Sequence, residues 1–236
     1  MREKSLVVTL LFAVFYSIDA SAVPVNKKCA TNDSKCLKAS SNYMIPIFAA
    51  GLPDNGVETL DPVTFHNIDA SSPNLKLILT DVTFKGLKNS EVKKIKIDKS
   101  KGKLLIKLLC SVDMDGSYEM NGKLLILPIE GKGPIHVKLR KAEVSVEVDV
   151  NFESANWKIK QWKHSYELKD KSEVVFENLF NGNEVLGSVA RDLVANSGNE
   201  IITEVGPPVI KTVVDKVINS IAALFDTIPA SELSLD

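Results

Sequence analysis

Hydrophobic and polar residues alternate along the middle of the chain, from Val63 to about Leu168. The alternation is clearest over the eight residues from Glu143 to Val150. There Val144, Val146, Val148 and Val150 alternate with Glu143, Ser145, Glu147 and Asp149. Because successive side chains of a strand point to opposite faces, the pattern predicts a strand with one dry and one wet face.

Turn-forming residues divide this stretch into several predicted strands. They occur at Gly86, Lys101-Gly102, Asp115-Gly116, Asn121-Gly122 and Gly131-Lys132-Gly133. Short turns join antiparallel neighbours, whereas parallel strands need crossover connections of a dozen or more residues. The spacing therefore predicts an antiparallel meander.

The same alternation predicts which strand residues face the interior. On two further strands they are Ile106, Leu108, Cys110, Val112, Met114, Val137 and Leu139. Tyr118 and Met120 follow the predicted turn at Asp115-Gly116, and we expect them to share a dry face. The Tyr118 hydroxyl is then a candidate polar group inside an apolar cavity.

The hydrophobic period changes towards the end of the chain. From about Asn183 to Phe225, apolar residues recur at every third or fourth position, which predicts helix. Val189 and Leu193 belong to this apolar face, and we place them with the inward strand residues. Gly206-Pro207-Pro208 predicts an interruption of the helix.

A shorter helix is predicted near the start of the chain. Asp33 and Ser34 are candidate N-caps, and the helix is expected to run to about Ala50 with a kink at Pro46.

A sheet with one dry face and a helix with an apolar stripe each need a partner to cover them. The economical arrangement is an α+β fold, in which a highly curved antiparallel sheet wraps around the long C-terminal helix. An uninterrupted helix would be about 60 Å long at 1.5 Å per residue, so we expect an elongated molecule. No linker is evident, and residues 23–236 are predicted to form a single domain.

The first 22 residues have the layout of a signal peptide. Arg2 and Lys4 precede an apolar run from Leu6 to Tyr16, and Ala20-Ser21-Ala22 provides small residues for cleavage. A membrane anchor is the alternative, but the run is shorter than the ~20 residues that span a bilayer. The segment predicts a secreted, extracellular protein.

The charge balance argues against one class of partner. The formal net charge is −1, and removing residues 1–22 takes away two side chains of each sign. A nucleic-acid-binding protein needs a basic excess to neutralise phosphates, so no nucleic-acid partner is predicted. Later apolar runs are interrupted by charged residues, so no stable membrane insertion is predicted either.

Three cysteines in a secreted chain leave one without a partner. Cys29 and Cys36 would close a short loop, and we predict that they form a disulfide. Cys110 is then a free thiol pointing into the interior. Asn32 heads an Asn-Asp-Ser glycosylation sequon, although the tight loop would hinder modification.

Residues for catalysis or metal binding are few. The chain contains no GxSxG, HExxH, P-loop, GxGxxG, CxxC or EF-hand pattern. Its histidines are His66, His136 and His164, and none has metal-ligand spacing. We therefore predict no catalytic residue, no metal and no cofactor.

Several short segments, taken in order, resemble the takeout and juvenile-hormone-binding protein family of insect secreted proteins. They are Cys29 and Cys36 before a helix, Gly51-Leu52-Pro53 with Leu60-Asp61-Pro62, Val82–Lys88, Gly116-Ser117-Tyr118, Gly122–Ile129 with Gly131 and Gly133, Asn178–Asn183, and Phe225–Pro229.

The resemblance implies a long helix inside a curved sheet, with an internal hydrophobic tunnel. It also implies that the protein is a monomeric carrier in haemolymph or another extracellular fluid, and that a receptor could receive its ligand. The ligand would be a terpenoid such as juvenile hormone, a fatty acid or a similar lipid. The hormone-binding branch usually has a second disulfide, which Cys110 has no partner to form, so the resemblance favours the takeout branch.

Two other classes of function remain open at this stage. The same architecture could serve as a membrane-active or protein-interaction module without a dedicated small ligand. A lipid-ester hydrolase would instead require a pair of serine and histidine side chains.

Overall fold

The computed structural model describes residues 27–236, which form four helices and seven strands. The predicted signal peptide, residues 1–22, lies outside the described residues. In chain order the elements are α1 (Ser34–Ala50), β1 (Val63–Asp69), β2 (Leu75–Lys85), β3 (Glu91–Asp98), β4 (Lys103–Leu124), β5 (Leu127–Asn151), β6 (Lys158–Leu168), β7 (Glu173–Phe176), α2 (Glu184–Asn196), α3 (Gly198–Thr227) and α4 (Ala230–Leu233).

All strand pairs are antiparallel, and β4 and β5 form the centre of the sheet. Strands β2 and β3 lie one after the other along the outer edge of β4, and β1 pairs with β2. Strands β7 and β6 lie in the same way along the outer edge of β5. The structure confirms the predicted α+β fold, in which a curved antiparallel sheet surrounds a long C-terminal helix.

Irregularities in strand pairing contribute to the curvature. The register between β2 and β4 shifts between Thr80 and Thr83, and that between β4 and β5 shifts between Cys110 and Val112. Such bulges bend a strand and increase its twist. At the second shift the Lys141 backbone N–H donates to the Ser111 hydroxyl, which satisfies a group that the interrupted ladder leaves unpaired.

Three of the predicted turns are wrong, because Asp115-Gly116 and Asn121-Gly122 lie within β4 and Gly131-Lys132-Gly133 lies within β5. These glycines provide room for neighbouring backbone. A Cβ on Gly116 would lie 3.1 Å from the Val82 Cα atom, opposite the β2 bulge, and one on Gly133 would lie 2.7 Å from the Glu177 carbonyl oxygen.

The hairpin between β4 and β5 turns instead at two hydrophobic residues, Leu125 and Ile126. Leu125 has a positive φ of 54°, and its backbone N–H donates to the Glu204 carboxylate on α3. Ile126 is 80% exposed. A tertiary hydrogen bond therefore supports a turn whose residues carry no local turn signal.

The predicted helix break at Gly206-Pro207-Pro208 is also wrong, because α3 continues through all three residues. The break lies at Ser197, where α2 ends. A Cβ on the next residue, Gly198, would lie 2.2 Å from the Ser172 carbonyl oxygen, so the backbone passes too close for any side chain. The apolar packing of α3 on both sides of the prolines compensates for the helix hydrogen bonds that they remove.

Helix α1 has the predicted bounds, and the Asp33 side chain caps it by accepting from the Cys36 backbone N–H. The predicted disulfide between Cys29 and Cys36 is present, and Cys110 is a buried free thiol.

Two apolar clusters lie along α3. One includes Ile201 to Val213, and the other begins at Val214 and continues to Phe225.

Candidate ligand-binding cavity

An interior cavity of about 250 Å³ lies between the concave face of the sheet and helix α3. This volume is close to the lower end of the roughly 300–1,000 Å³ range of small-molecule pockets. Its helical wall extends along α3 from Ile201 to Ile221, about 30 Å at 1.5 Å per residue. The lining therefore follows α3 along most of its length.

The lining of the cavity is almost entirely apolar. Strands β2, β4, β5 and β7 supply one wall, and α1 with its following loop supplies Ile45, Phe48, Ala49 and Leu60. Among residues 27–236, Ser90 and Cys110 are the lining residues with a hydroxyl or a thiol, and no lining side chain is charged. An apolar ligand could therefore bind here without burying a charged side chain.

The structure brings nine of the predicted inward residues together on this cavity. They are Ile106, Leu108, Cys110, Val112, Met114, Val137, Leu139, Val144 and Val146. They lie on the neighbouring strands β4 and β5, where Ile106 pairs with Val146 and Met114 pairs with Val137. Period-two alternation identifies them because every second residue of a strand faces the same side.

Five other predicted residues do not line this cavity. Met120 and Tyr118 belong to the larger buried cluster, and Val148 belongs to the second one. Val189 is 62% exposed, because α2 packs through its small residues Gly187 and Ala190 instead. Leu193, on the same helix, is only partly buried.

The Tyr118 side chain has a structural role. It is fully buried, packs edge-on against Phe176 with ring centroids 4.9 Å apart, and donates its hydroxyl to the Glu177 carbonyl oxygen at 2.6 Å. Burial, and then the nearby Glu177 carboxylate, raise the pKa of Tyr118 to about 12. The hydroxyl therefore donates to the protein backbone and not to a ligand.

Sequence reasoning missed the contributions of α1, β2 and α3 to the cavity. On β2, Leu77 and Leu79 line it, and their alternation could have identified them. On α3, the three-and-four spacing predicts an apolar face, but it does not show which residues of that face line empty space. On α1, Ile45, Phe48 and Ala49 have the same three-and-four spacing, which likewise does not show that they face the cavity.

The three histidines lie outside the cavity. His66 pairs with Asp81 on the surface, and His164 lies on β6. His136 contacts two carboxylates on the outer face: its Nδ1 lies 2.7 Å from Asp115 and its Nε2 lies 3.3 Å from Glu177. Within the described part of the chain, no cluster of three or more His, Cys, Asp or Glu side chains could hold a metal ion.

The pKa of His136 is expected to lie above the ordinary histidine pKa of 6.5, and the pKa of His164 below it. The hydrogen bond to Asp115 raises the pKa of His136, whereas burial, and then Lys211, lower the pKa of His164. The contribution of His136 to stability is complete below its unfolded-state pKa and is lost as the pH rises through the folded value. NMR titration of the imidazole protons measures both values, and equal midpoints would contradict the assigned contacts. Asp115→Asn is expected to lower the His136 midpoint alone.

No helix among residues 27–236 combines the length and apolar character needed to cross a membrane.

Comparisons with known proteins agree with the architecture. The family model described as haemolymph juvenile hormone binding protein (JHBP) matches residues 6–235. The crystal structure of Epiphyas postvittana Takeout 1 superimposes with a TM-score of 0.84 and 27% sequence identity, covering 88% of this chain and 98% of that one.

Curated relatives match shorter segments. The circadian clock-controlled protein daywake of Drosophila melanogaster is 30% identical over 132 residues, 51% of each chain. A "Putative beta-carotene-binding protein" of Schistocerca gregaria is 25% identical over 113 residues, 47% of this chain and 45% of that one. The chain thus spans about half the length of the curated relatives it matches. The family model covers nearly all of it and confirms the resemblance seen in its motifs: the chain belongs to the haemolymph juvenile hormone binding protein family.

Proposed function

We propose that this protein is a secreted, non-enzymatic carrier that encloses one small hydrophobic ligand in its interior cavity. The observation that carries the proposal is the cavity itself, which lies between α3 and the sheet and has an almost wholly apolar lining. Membership of a family named for juvenile hormone binding supports it, as does the reference to beta-carotene in the name of the Schistocerca gregaria relative.

The energetics of transfer account for binding without a charged contact. A terpenoid or acyl chain of about fifteen carbons gains on the order of 10 kcal/mol on leaving water, at ~0.8 kcal/mol per methylene. Immobilisation and imperfect contact oppose part of this gain. Micromolar or tighter affinity is the expected result, with the length of the cavity selecting among ligands.

The proposed carrier is secreted and delivers its ligand to a partner. Residues 1–22 would direct secretion, after which the mature protein would carry its ligand as a monomer in haemolymph or another extracellular fluid. A receptor or other delivery partner would then accept the ligand.

Asn32 lies in an exposed turn and is a candidate glycosylation acceptor.

Denaturing extraction of the natively secreted protein, followed by mass spectrometry, tests the proposal. We expect an apolar molecule in near-stoichiometric amount, absent from an unrelated secreted protein purified from the same fluid. An empty protein that also fails to bind added long-chain lipids would contradict it.

An alternative is a module that acts at membranes or on another protein. The observation that favours it is an exposed apolar surface on α2, formed by Val185, Leu186 and Val189. Binding to liposomes that is lost in a Val185→Ser/Val189→Ser double variant, without any extractable ligand, would support this alternative over the carrier.

A further inference from the structure

Ser90 and Cys110 form a hydrogen-bonded polar pair in the cavity wall. The Ser90 Oγ atom donates to the Cys110 Sγ atom at 3.2 Å. Among the described residues that line the cavity, every other side chain is a hydrocarbon or the thioether of Met114. An oxygen atom of a ligand would therefore find a hydroxyl partner in the wall at this position.

The pair lies near the middle of the sheet wall. Cys110 is the central member of the five lining residues of β4, which run from Ile106 to Met114. Ser90 lies on the short connection between the 3-10 turn Leu87–Asn89 and β3, beside the β4 segment that contains Cys110. A ligand anchored at this pair would have its polar atom within its chain and not at one end.

The chemistry of the pair favours an acceptor oxygen. A serine hydroxyl provides one donor and two acceptor positions, whereas a thiol is only a weak acceptor. The Ser90 proton is therefore paired with a weak partner, which a carbonyl, ether or hydroxyl oxygen would replace with a stronger one. Burial raises the pKa of the Cys110 thiol, so the pair carries no charge at neutral pH.

The surroundings of the pair disfavour a charged oxygen. Within residues 27–236 the lining contains no lysine, arginine or histidine that could neutralise a carboxylate. Burying an ionised carboxylate without a partner is costly, and the group would be excluded or would take up a proton.

We propose that the Ser90–Cys110 pair is a polar subsite, at which the Ser90 hydroxyl binds an uncharged oxygen within the chain of an otherwise apolar ligand. This inference rests on the proposed carrier function and adds the ligand's chemical class and position of anchoring. It separates mid-chain ketones, alcohols and ethers from hydrocarbons and from ionised acids.

Three probes with the same fifteen-carbon chain test the subsite. They are the alkane, the ketone with its carbonyl at the central carbon, and the acid with a carboxylate on that carbon. Dissociation constants are measured for the whole protein and for Ser90→Ala at neutral pH. We expect Ser90→Ala to weaken the ketone about threefold to tenfold, the usual range for one neutral hydrogen bond, and to leave the alkane unchanged. The carboxylate is expected to bind the unmodified protein at least tenfold more weakly than the ketone.

Two control variants separate the subsite from a general effect on folding. Ser117→Ala removes an exposed hydroxyl from the outer face of β4 and should change neither affinity. Ser90→Thr keeps the hydroxyl. It should therefore bind the ketone more tightly than Ser90→Ala does, with a ketone affinity close to that of the unmodified protein.

The outcomes also distinguish this inference from the proposed function. If the alkane binds but Ser90→Ala weakens both neutral probes equally, or neither, the subsite is refuted while the carrier function stands. Tighter binding of the carboxylate than of the ketone would refute the neutral ligand class. If none of the three probes binds, both proposals fail.

Discussion

Replacing Val112 with tryptophan is expected to weaken binding of a fifteen-carbon ligand by about 100-fold or more while leaving the fold intact. Val112 lies on the cavity wall, two residues from Cys110 on β4. The indole would occupy space that the ligand needs and would displace three or four methylene groups. At ~0.8 kcal/mol per methylene and 1.4 kcal/mol per tenfold change in affinity, the loss is about two orders of magnitude.

Stability distinguishes a hollow interior from a packed one. Because the indole would enter empty space, Val112→Trp should shift the melting temperature by only a few degrees. Val82→Trp is the matched control, since Val82 has no exposed surface and lies against the backbone of Gly116. Overpacking at such a site typically costs about 1–3 kcal/mol. Displacement of a fluorescent naphthylamine probe and thermal unfolding provide the two measurements, and equal destabilisation by both variants would contradict a hollow interior.

Replacing Val148 with aspartate is expected to lower the free energy of unfolding by about 3–5 kcal/mol. Val148 is 1% exposed and belongs to the buried cluster at the second half of α3. Its neighbours across the sheet are Leu104 and Trp162, which offer a carboxylate no charged partner. An uncompensated buried charge is among the few single changes that cost this much.

Ser145→Asp is the control for this change. It introduces the same side chain on the same strand but on the opposite face, where Ser145 pairs with Lys107. We expect its effect to remain within about 0.5 kcal/mol in urea unfolding. Comparable losses at the two positions would show that the dry and wet faces of β5 are assigned wrongly.

The elements that could be predicted from the sequence are those whose side chains follow a regular period. The alternation over Glu143–Val150 identifies the buried face of β5, and the three-and-four spacing identifies α3. The errors arise where tertiary contact overrides local preference. Glycines such as Gly116 and Gly133 accommodate a passing backbone and form no turn, whereas Leu125 turns because Glu204 holds its N–H.

The site was predicted less completely than the fold. Alternation shows that Val112 and Val148 both face inward, but it cannot show that one faces empty space and the other is packed within the second apolar cluster. That difference depends on how the bulges of β2 and β5 curve the sheet around α3, which is a property of the whole assembly. The Ser90–Cys110 contact likewise joins residues twenty positions apart and leaves no periodic signal.

The most direct test of the central claim is methyl NMR of isotope-labelled protein titrated with the fifteen-carbon ketone. If the ligand occupies the cavity, saturable shifts should appear at lining methyl groups such as those of Leu79, Val205 and Val213. Buried methyl groups away from the cavity, such as those of Val82, should shift little. Shifts confined to the exposed α2 valines, Val185 and Val189, would place the ligand on the surface and contradict the account.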